Sequence, residues 1–86
     1  MLNYPKRARA AKVIKKHIVP LSKAGNWSFH VNDTVDHYSG MLELRIYHTL
    51  TELELEQIRQ LMVRVQYVVH GFQYDNCFIH DFAGYH

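Results

Sequence analysis

The sequence predicts an α+β domain in the order helix, strand, strand, helix, strand. Three observations carry that expectation. A helical spacing of apolar residues opens the chain and returns in its second half, two runs of strict alternation lie between those segments, and an aromatic-rich tail closes the chain. Its 86 residues are one domain's worth. Apolar and aromatic residues make up 48% and charged ones 21%, which is enough to build a packed core and unlike the polar signature of disorder. A chain this short buries only roughly 60–65% of the surface its unfolded form exposes, so its stability margin is thin.

The first helix is expected from Pro5 to Leu21. Ala11, Ile14, Ile18 and Leu21 recur at spacings of three and four, with Lys and Arg over most of the remaining circumference. Asn3 is a fitting N-cap, and Pro5 suits a first turn because its missing N–H would be unpaired there anyway. Pro20 lacks the donor that a continuing helix needs, so the helix should end within a residue or two of Val19, with Ala24, Gly25 and Asn26 forming a turn. Trp27, Phe29 and Val31 then alternate with Ser28, His30 and Asn32, the pattern of a half-buried strand. After a polar connection over 33–40, Leu42, Leu44 and Ile46 alternate inward against Glu43, Arg45 and Tyr47. The two runs pair most simply as an antiparallel hairpin.

The second helix begins at a capping box. Thr51 with Glu54 and Thr49 with Glu52 fit that pattern equally well, leaving the register open by two residues. Ile58, Leu61, Met62, Val65, Val68 and Val69 form its apolar stripe, and Gly71 is the natural stop. The acidic first turn and the later Arg59 and Arg64 run in the sense the helix dipole favours. The tail, with Tyr74, Phe78, Ile79 and Phe82, should add a third strand and an irregular packed end. A three-stranded, mainly antiparallel sheet with both helices on one face covers the two apolar stripes most economically.

Charge is distributed very unevenly. Seven of the ten Lys and Arg, namely Lys6, Arg7, Arg9, Lys12, Lys15, Lys16 and Lys23, fall in the first 32 residues, which contain no Asp or Glu. The remaining 54 residues carry three basic and eight acidic side chains, so the net +2 divides into a +7 part and a −5 part. A helix with so many cations can track phosphates, releasing counterions and leaving a salt slope. It has no Asn or Gln past its cap to read base edges and no aromatic beyond Tyr4, which excludes sequence-specific groove reading. Its apolar stripe lacks the Trp, Phe and repeated Leu of membrane-surface helices. An acidic protein surface, or the acidic half of a second copy, would suit the same cations.

The other candidates are less pointed. Seven histidines invite a metal reading, but Asp33, Asp36 and His37 in one loop and His80 with Asp81 are the only local clusters, and neither has a diagnostic spacing, so no metal or cofactor is expected. Cys77 sits in an apolar context and reads as a small buried hydrophobe. No phosphate loop, nucleophile elbow or paired-carboxylate motif occurs, so no enzymatic activity is expected. Glu43, Tyr47, Glu52, Glu54 and Glu56 are the candidates for an acidic and aromatic binding surface, because Tyr offers rigid contact area with a polar tip.

Trp27-Ser28-Phe29-His30-Val31, Tyr38-Ser39-Gly40 before the second strand, the Thr51–Glu54 helix start and Gly71-Phe72-Gln73-Tyr74-Asp75 together resemble a small domain associated with large polyvalent proteins of phages and mobile elements. The resemblance spans about two thirds of the chain. That family's hairpin is richer in Gly and Ser, and its second strand ends in an aromatic residue where this chain has His48. The resemblance implies a phage or plasmid origin and carries no catalytic residues. By analogy with free-standing phage proteins of this size, anti-CRISPR proteins among them, it points to inhibition of a host protein or nucleoprotein complex through surface binding. A single cysteine and the absence of an apolar run of about 20 residues place the expected setting in the cytoplasm, away from membranes. A small sequence-nonspecific nucleic-acid-binding protein is the other expectation.

Overall fold

The computed structural model describes residues 2–33 and 40–86. Helix α1 (Tyr4–Gly25) is followed by β1 (Phe29–Asn32), β2 (Leu42–Ile46), helix α2 (Glu52–Val68), a short 3-10 turn (Tyr74–Asn76), β3 (Cys77–Asp81) and β4 (Gly84–Tyr85). The strands lie in the order β1-β2-β3-β4. β1 pairs antiparallel with β2, placing Phe29 opposite Ile46 and Val31 opposite Leu44. The two runs therefore pair antiparallel as expected, while the connection over 34–39 lies outside the described residues.

The sheet differs from expectation in two respects: it has four strands rather than three, and it is mixed. β3 runs parallel to β2, Leu44 beside Ile79, because α2 carries the chain back across the sheet before β3 begins. A helical crossover returns a strand in its original direction, whereas a hairpin reverses it. β4 forms because Phe82 and Ala83 make a two-residue connection that turns the chain onto the outer edge of β3. Gly84 has φ 127, a conformation that side chains rarely adopt.

Both helices cover one face of the sheet. Ala10, Ala11, Ile14 and Ile18 of α1 and Ile58, Leu61, Met62 and Val65 of α2 are buried in a single core with Val31, Leu42, Leu44, Ile46 and Ile79. Burial alternates along β2 and β3, leaving Glu43, Arg45, Phe78 and His80 on the face turned from the helices. Val69 belongs to the core, but Val68, assigned to the same stripe by sequence, is 47% exposed.

Helix α1 runs through Pro20 rather than stopping there. Proline costs one backbone hydrogen bond and strains the preceding turn. Here Ile18 is fully buried and Leu21 packs against the core on the far side, which holds the last turn in place. The helix ends instead at Asn26, in the left-handed region at φ 54, where Trp27 N–H donates to Ser22 O at 3.1 Å and Asn26 N–H to Lys23 O at 3.3 Å. That paired closure satisfies carbonyls a helix end would otherwise leave open. At its start, Asn3 accepts from the Lys6 N–H at 3.2 Å.

At α2 the cap is Thr51: its hydroxyl accepts from Glu54 N–H at 3.1 Å while Glu54 Oε1 accepts from Thr51 N–H at 2.9 Å. The helix stops at Val68, ahead of Gly71, because Val69 turns extended and points inward. Among the described residues, no helix is long and apolar enough to cross a membrane.

Candidate functional site

The seven cations of the first segment separate by role once the fold is set. Lys12, Lys16 and Lys23 repeat at helical spacing on the side of α1 opposite Ile14 and Ile18, and Lys15 stands beside them. All four are exposed. None of their side chains has a hydrogen bond or ion pair among the described residues. With Arg9 the row covers about 21 Å of helix at 1.5 Å per residue. No carboxylate interrupts it, since α1 has none.

Arg7 belongs to the architecture instead. Its Nε donates to Asp33 O at 3.0 Å and its Nη1 to Leu2 O at 2.9 Å, tying the helix start to the end of β1. Its guanidinium also lies 5.5 Å from the Tyr4 ring centre. Arg9 sits between the two roles: exposed, it donates through Nη2 to Val68 O at 3.3 Å, at the last turn of α2 where a cation opposes the helix dipole. Lys6 is half-buried near Gly71. The cation face is thus Lys12, Lys15, Lys16 and Lys23, with Arg9 at its rim.

The acidic and aromatic candidates do not form one surface. Glu54 lies at the junction of α2 with the sheet, where it accepts from Trp27 Nε1 at 2.8 Å and lies 3.1 Å from His48 Nε2, the His48 and Trp27 rings being stacked at 6.1 Å. Burial of the carboxyl raises its pKa, but the hydrogen bonds from Thr51, Trp27 and His48 outweigh that and hold it at about 2. Gly25 makes room for this junction: a Cβ there would collide with the Trp27 indole and stand 2.8 Å from the Glu54 carboxylate. Glu52 and Glu56 are exposed on α2, and Glu56 lies 3.7 Å from Arg59 Nη1. Glu43 and Tyr47 stand on the open sheet face, away from the helix glutamates.

A second carboxylate junction was not singled out by sequence. Asp81, 3% exposed at the end of β3, accepts from Leu50 N–H at 2.8 Å and Ala83 N–H at 2.9 Å and lies 2.9 Å from His86 Nε2. Burial alone would raise its pKa; these donors and the His86 charge lower it. It pins the loop before α2 to the C-terminal hairpin, assisted by Phe82 N–H on His48 O at 3.3 Å. Its signal in the sequence was the His80–Asp81 pair, read there only as a candidate metal cluster.

The candidates for chemistry are dispersed. His80 and Asp81 are strand neighbours on opposite sheet faces. Asp36 and His37, of the loop cluster, lie outside the described residues. Among the described residues no three His, Cys, Asp or Glu side chains converge to hold a metal. Cys77 is buried, and burial pushes its thiol up to about 12, the reverse of what an activated nucleophile requires.

The open sheet face carries the remaining cluster. His30, Arg45, His80 and Tyr85 lie in one cross-strand row, with Glu43 and Phe78 in the next. His80 and Tyr85 stack with centroids 4.5 Å apart, and Phe78 meets Tyr85 edge-on at 6.1 Å. Glu43 Oε2 lies 3.2 Å from Arg45 Nη2 and 3.8 Å from His80 Nδ1, so the one outward carboxylate of the strands is already paired with Arg45.

No family model matches the chain, and no curated protein or solved structure matches it either.

Proposed function

We propose that this chain is a non-enzymatic interaction protein that modulates a nucleic-acid-handling complex of a host cell by docking on its surface, with the solvent side of α1 as the docking face. The observation that supports this is the row Lys12, Lys15, Lys16 and Lys23, exposed and without counter-charge among the described residues. Holding like charges together on one helix face costs self-repulsion, and that cost is offset when an anionic surface neutralises them. The mobile-element setting comes from the resemblance at Trp27–Val31 and Gly71–Asp75, and inhibition comes by analogy from that setting.

A second reading is sequence-nonspecific binding to free nucleic acid. It is favoured by the length of the row, which with Arg9 spans about 21 Å of helix and suits several successive phosphates. One experiment separates the two. Labelled duplex and single-stranded nucleic acid are titrated across a salt series from about 50 to 300 mM, where each neutralised phosphate contributes about −0.9 to the log–log slope on duplex. Under the second reading the wild type gives a slope near −4, and K12E/K15E/K16E loses binding. Under the first, free nucleic acid binds weakly even at low salt, while a host complex is recovered at low salt by the wild type and lost by the triple variant. A triple variant that matches the wild type in both measurements overturns the assignment of α1 as the docking face.

A further inference from the structure

Helices α1 and α2 run antiparallel, and the pair is tied at both ends. Arg9 Nη2 donates to Val68 O at 3.3 Å where α1 begins and α2 finishes, and Trp27 Nε1, just past α1, donates to Glu54 at 2.8 Å where α2 begins. On the solvent side of the pair this fixed spacing leaves a groove of about 290 Å³. Leu21 and Leu61 are its floor, His17 and Pro20 its α1 wall, and Gln57, Gln60 and Arg64 its α2 wall. The side chains of Gln57, Gln60 and Arg64 are exposed, with no hydrogen bond or ion pair among the described residues.

The α2 wall continues beyond the groove in both directions. Leu53, Gln57, Gln60, Arg64 and Tyr67 follow one another at spacings of four and three, all exposed, and cover about 21 Å of helix. Leu53 and Tyr67, 70% and 88% exposed, place large apolar groups at the two ends of this stripe, with Leu21, Leu61 and Pro20 between them. On α1, the exposed cations Arg9, Lys16 and Lys23 stand seven residues apart, and Lys16 and Lys23 flank Pro20 at i−4 and i+3. Apolar groups therefore run along the axis, with cations on both rims. Among the described residues no carboxylate lines the groove: Glu52 and Glu56, the exposed acids of α2, are not part of it, and Glu56 lies 3.7 Å from Arg59.

We infer that this groove receives an acidic amphipathic helix of a protein partner, its apolar side chains seated between Leu53, the Leu21–Leu61 floor and Tyr67, and its carboxylates facing Lys16 and Lys23 on one rim and Arg64 on the other. The charges choose an acidic occupant, since both rims are cationic and no carboxylate among the described residues lines the groove. The apolar axis chooses a protein: a phosphate backbone would satisfy the cations but has no aliphatic group to seat on Leu21 and Leu61. The spacing chooses a helix, because a stripe repeating at three and four residues matches the ridges of a helix laid alongside it, read as anchors at i, i+3, i+4 and i+7. This inference rests on the reading above for the docking role of Lys16 and Lys23, and it adds α2 as a second wall and the chemistry of the partner.

The test uses the whole chain and three monomeric helical peptides of about 20 residues, long enough to span the stripe. One carries Leu at spacings of three and four with Glu on either flank, the second has every Leu replaced by Gln, and the third has every Glu replaced by Lys. Affinity is read by fluorescence anisotropy and the site by amide NMR. The Leu/Glu peptide should bind saturably and move the signals of Leu21, Gln57, Leu61 and Arg64, and each of the other two should bind at least about tenfold more weakly. R64E and Q57E/Q60E bring carboxylates to the groove without touching α1, and each should weaken the Leu/Glu peptide by about tenfold, while R64K binds like the wild type. All three positions are exposed, so the variants keep the wild-type NMR pattern elsewhere. If K12E/K15E/K16E loses the peptide while R64E and Q57E/Q60E bind it normally, the groove is overturned and the α1 docking face stands. Equal binding of the Gln-for-Leu peptide would reduce the site to charge alone and overturn the apolar axis. If the Leu/Glu peptide moves no groove signal, the inference falls; a single-stranded oligonucleotide that moves those signals where the peptide does not would give the groove to nucleic acid, and signals that move with protein concentration alone would give it to a second copy of this chain.

Discussion

Lys16 on α1 and Glu54 at the start of α2 are both ionisable residues on helices of one small domain, yet their surroundings are opposite. Glu54 has Thr51, Trp27 and His48 arranged around its two oxygens, while the side chains of Lys16 and its neighbours Lys12 and Lys23 are exposed with no partner among the described residues. A charge whose hydrogen-bonding capacity is filled from within the chain is committed to holding the fold. A charge left open, on a helix with no carboxylate to balance it, is available to something outside. The seven cations of the first segment divide along the same line: Arg7 is spent on Asp33 O and Leu2 O, and the exposed lysines are not.

Asp81 should show the largest effect on the committed side. D81A removes the acceptor for the Leu50 and Ala83 N–H groups and the partner of His86, which should cost about 3 kcal/mol in a urea melt. A loss below about 0.5 kcal/mol would remove Asp81 from the account. E54A breaks the capping box and frees the Trp27 indole N–H, with an expected loss of about 2 kcal/mol and a change in Trp27 fluorescence. E54Q, which can still accept from Thr51 and Trp27, should lose less.

Acid sharpens the same contrast. The folded-state pKa of Glu54 lies at about 2, below its ordinary 4.5, and that of Asp81 lies below its ordinary 3.8. Carboxylates with depressed values contribute stability that is complete above their ordinary values and is lost as pH falls toward the folded ones. Stability of the wild type should therefore drop between about pH 4.5 and 2. E54Q should flatten that limb, and an unchanged acid limb would mean the junction is not what titrates.

Smaller effects are expected on the open side and at Pro20. P20A restores a backbone donor inside α1 and should stabilise the fold by about 1 kcal/mol, read as a higher urea midpoint. K12E/K15E/K16E should shift stability by no more than about 0.5 kcal/mol, since exposed side chains without partners carry little of the fold.

Much of this arrangement is visible in the sequence, for reasons tied to particular residues. The alternation around Leu42, Leu44 and Ile46, the stripe Ile58–Leu61–Met62–Val65 and the Thr51–Glu54 pair are local patterns, and they describe local structure. Strand direction is not a local property: nothing in Cys77–Asp81 records that it will lie parallel to β2, and two-residue β4 is too short to have a period. Pro20 misleads because buried Ile18 and packed Leu21 on either side override its intrinsic preference.

The same limit governs the candidate site. The lysine row follows from charge segregation and helical spacing, both read along the chain. The commitments of Arg7, Glu54 and Asp81 depend on partners as far as 26, 27 and 31 residues away, so Glu54 has the sequence character of a surface glutamate and the structural position of a keystone. The ring cluster of the open face needs β3 beside β2 and β4 beside β3 before Tyr47, His80 and Tyr85 can share a surface.

The contrast between open and committed charges is tested most directly by measuring K12E/K15E/K16E for thermal stability and, in the same preparation, for capture of a host nucleoprotein complex and of labelled nucleic acid. The account predicts a melting temperature within about 2 °C of the wild type together with loss of capture. Normal capture by a folded triple variant would contradict it, because the open cations would then have no partner outside the chain.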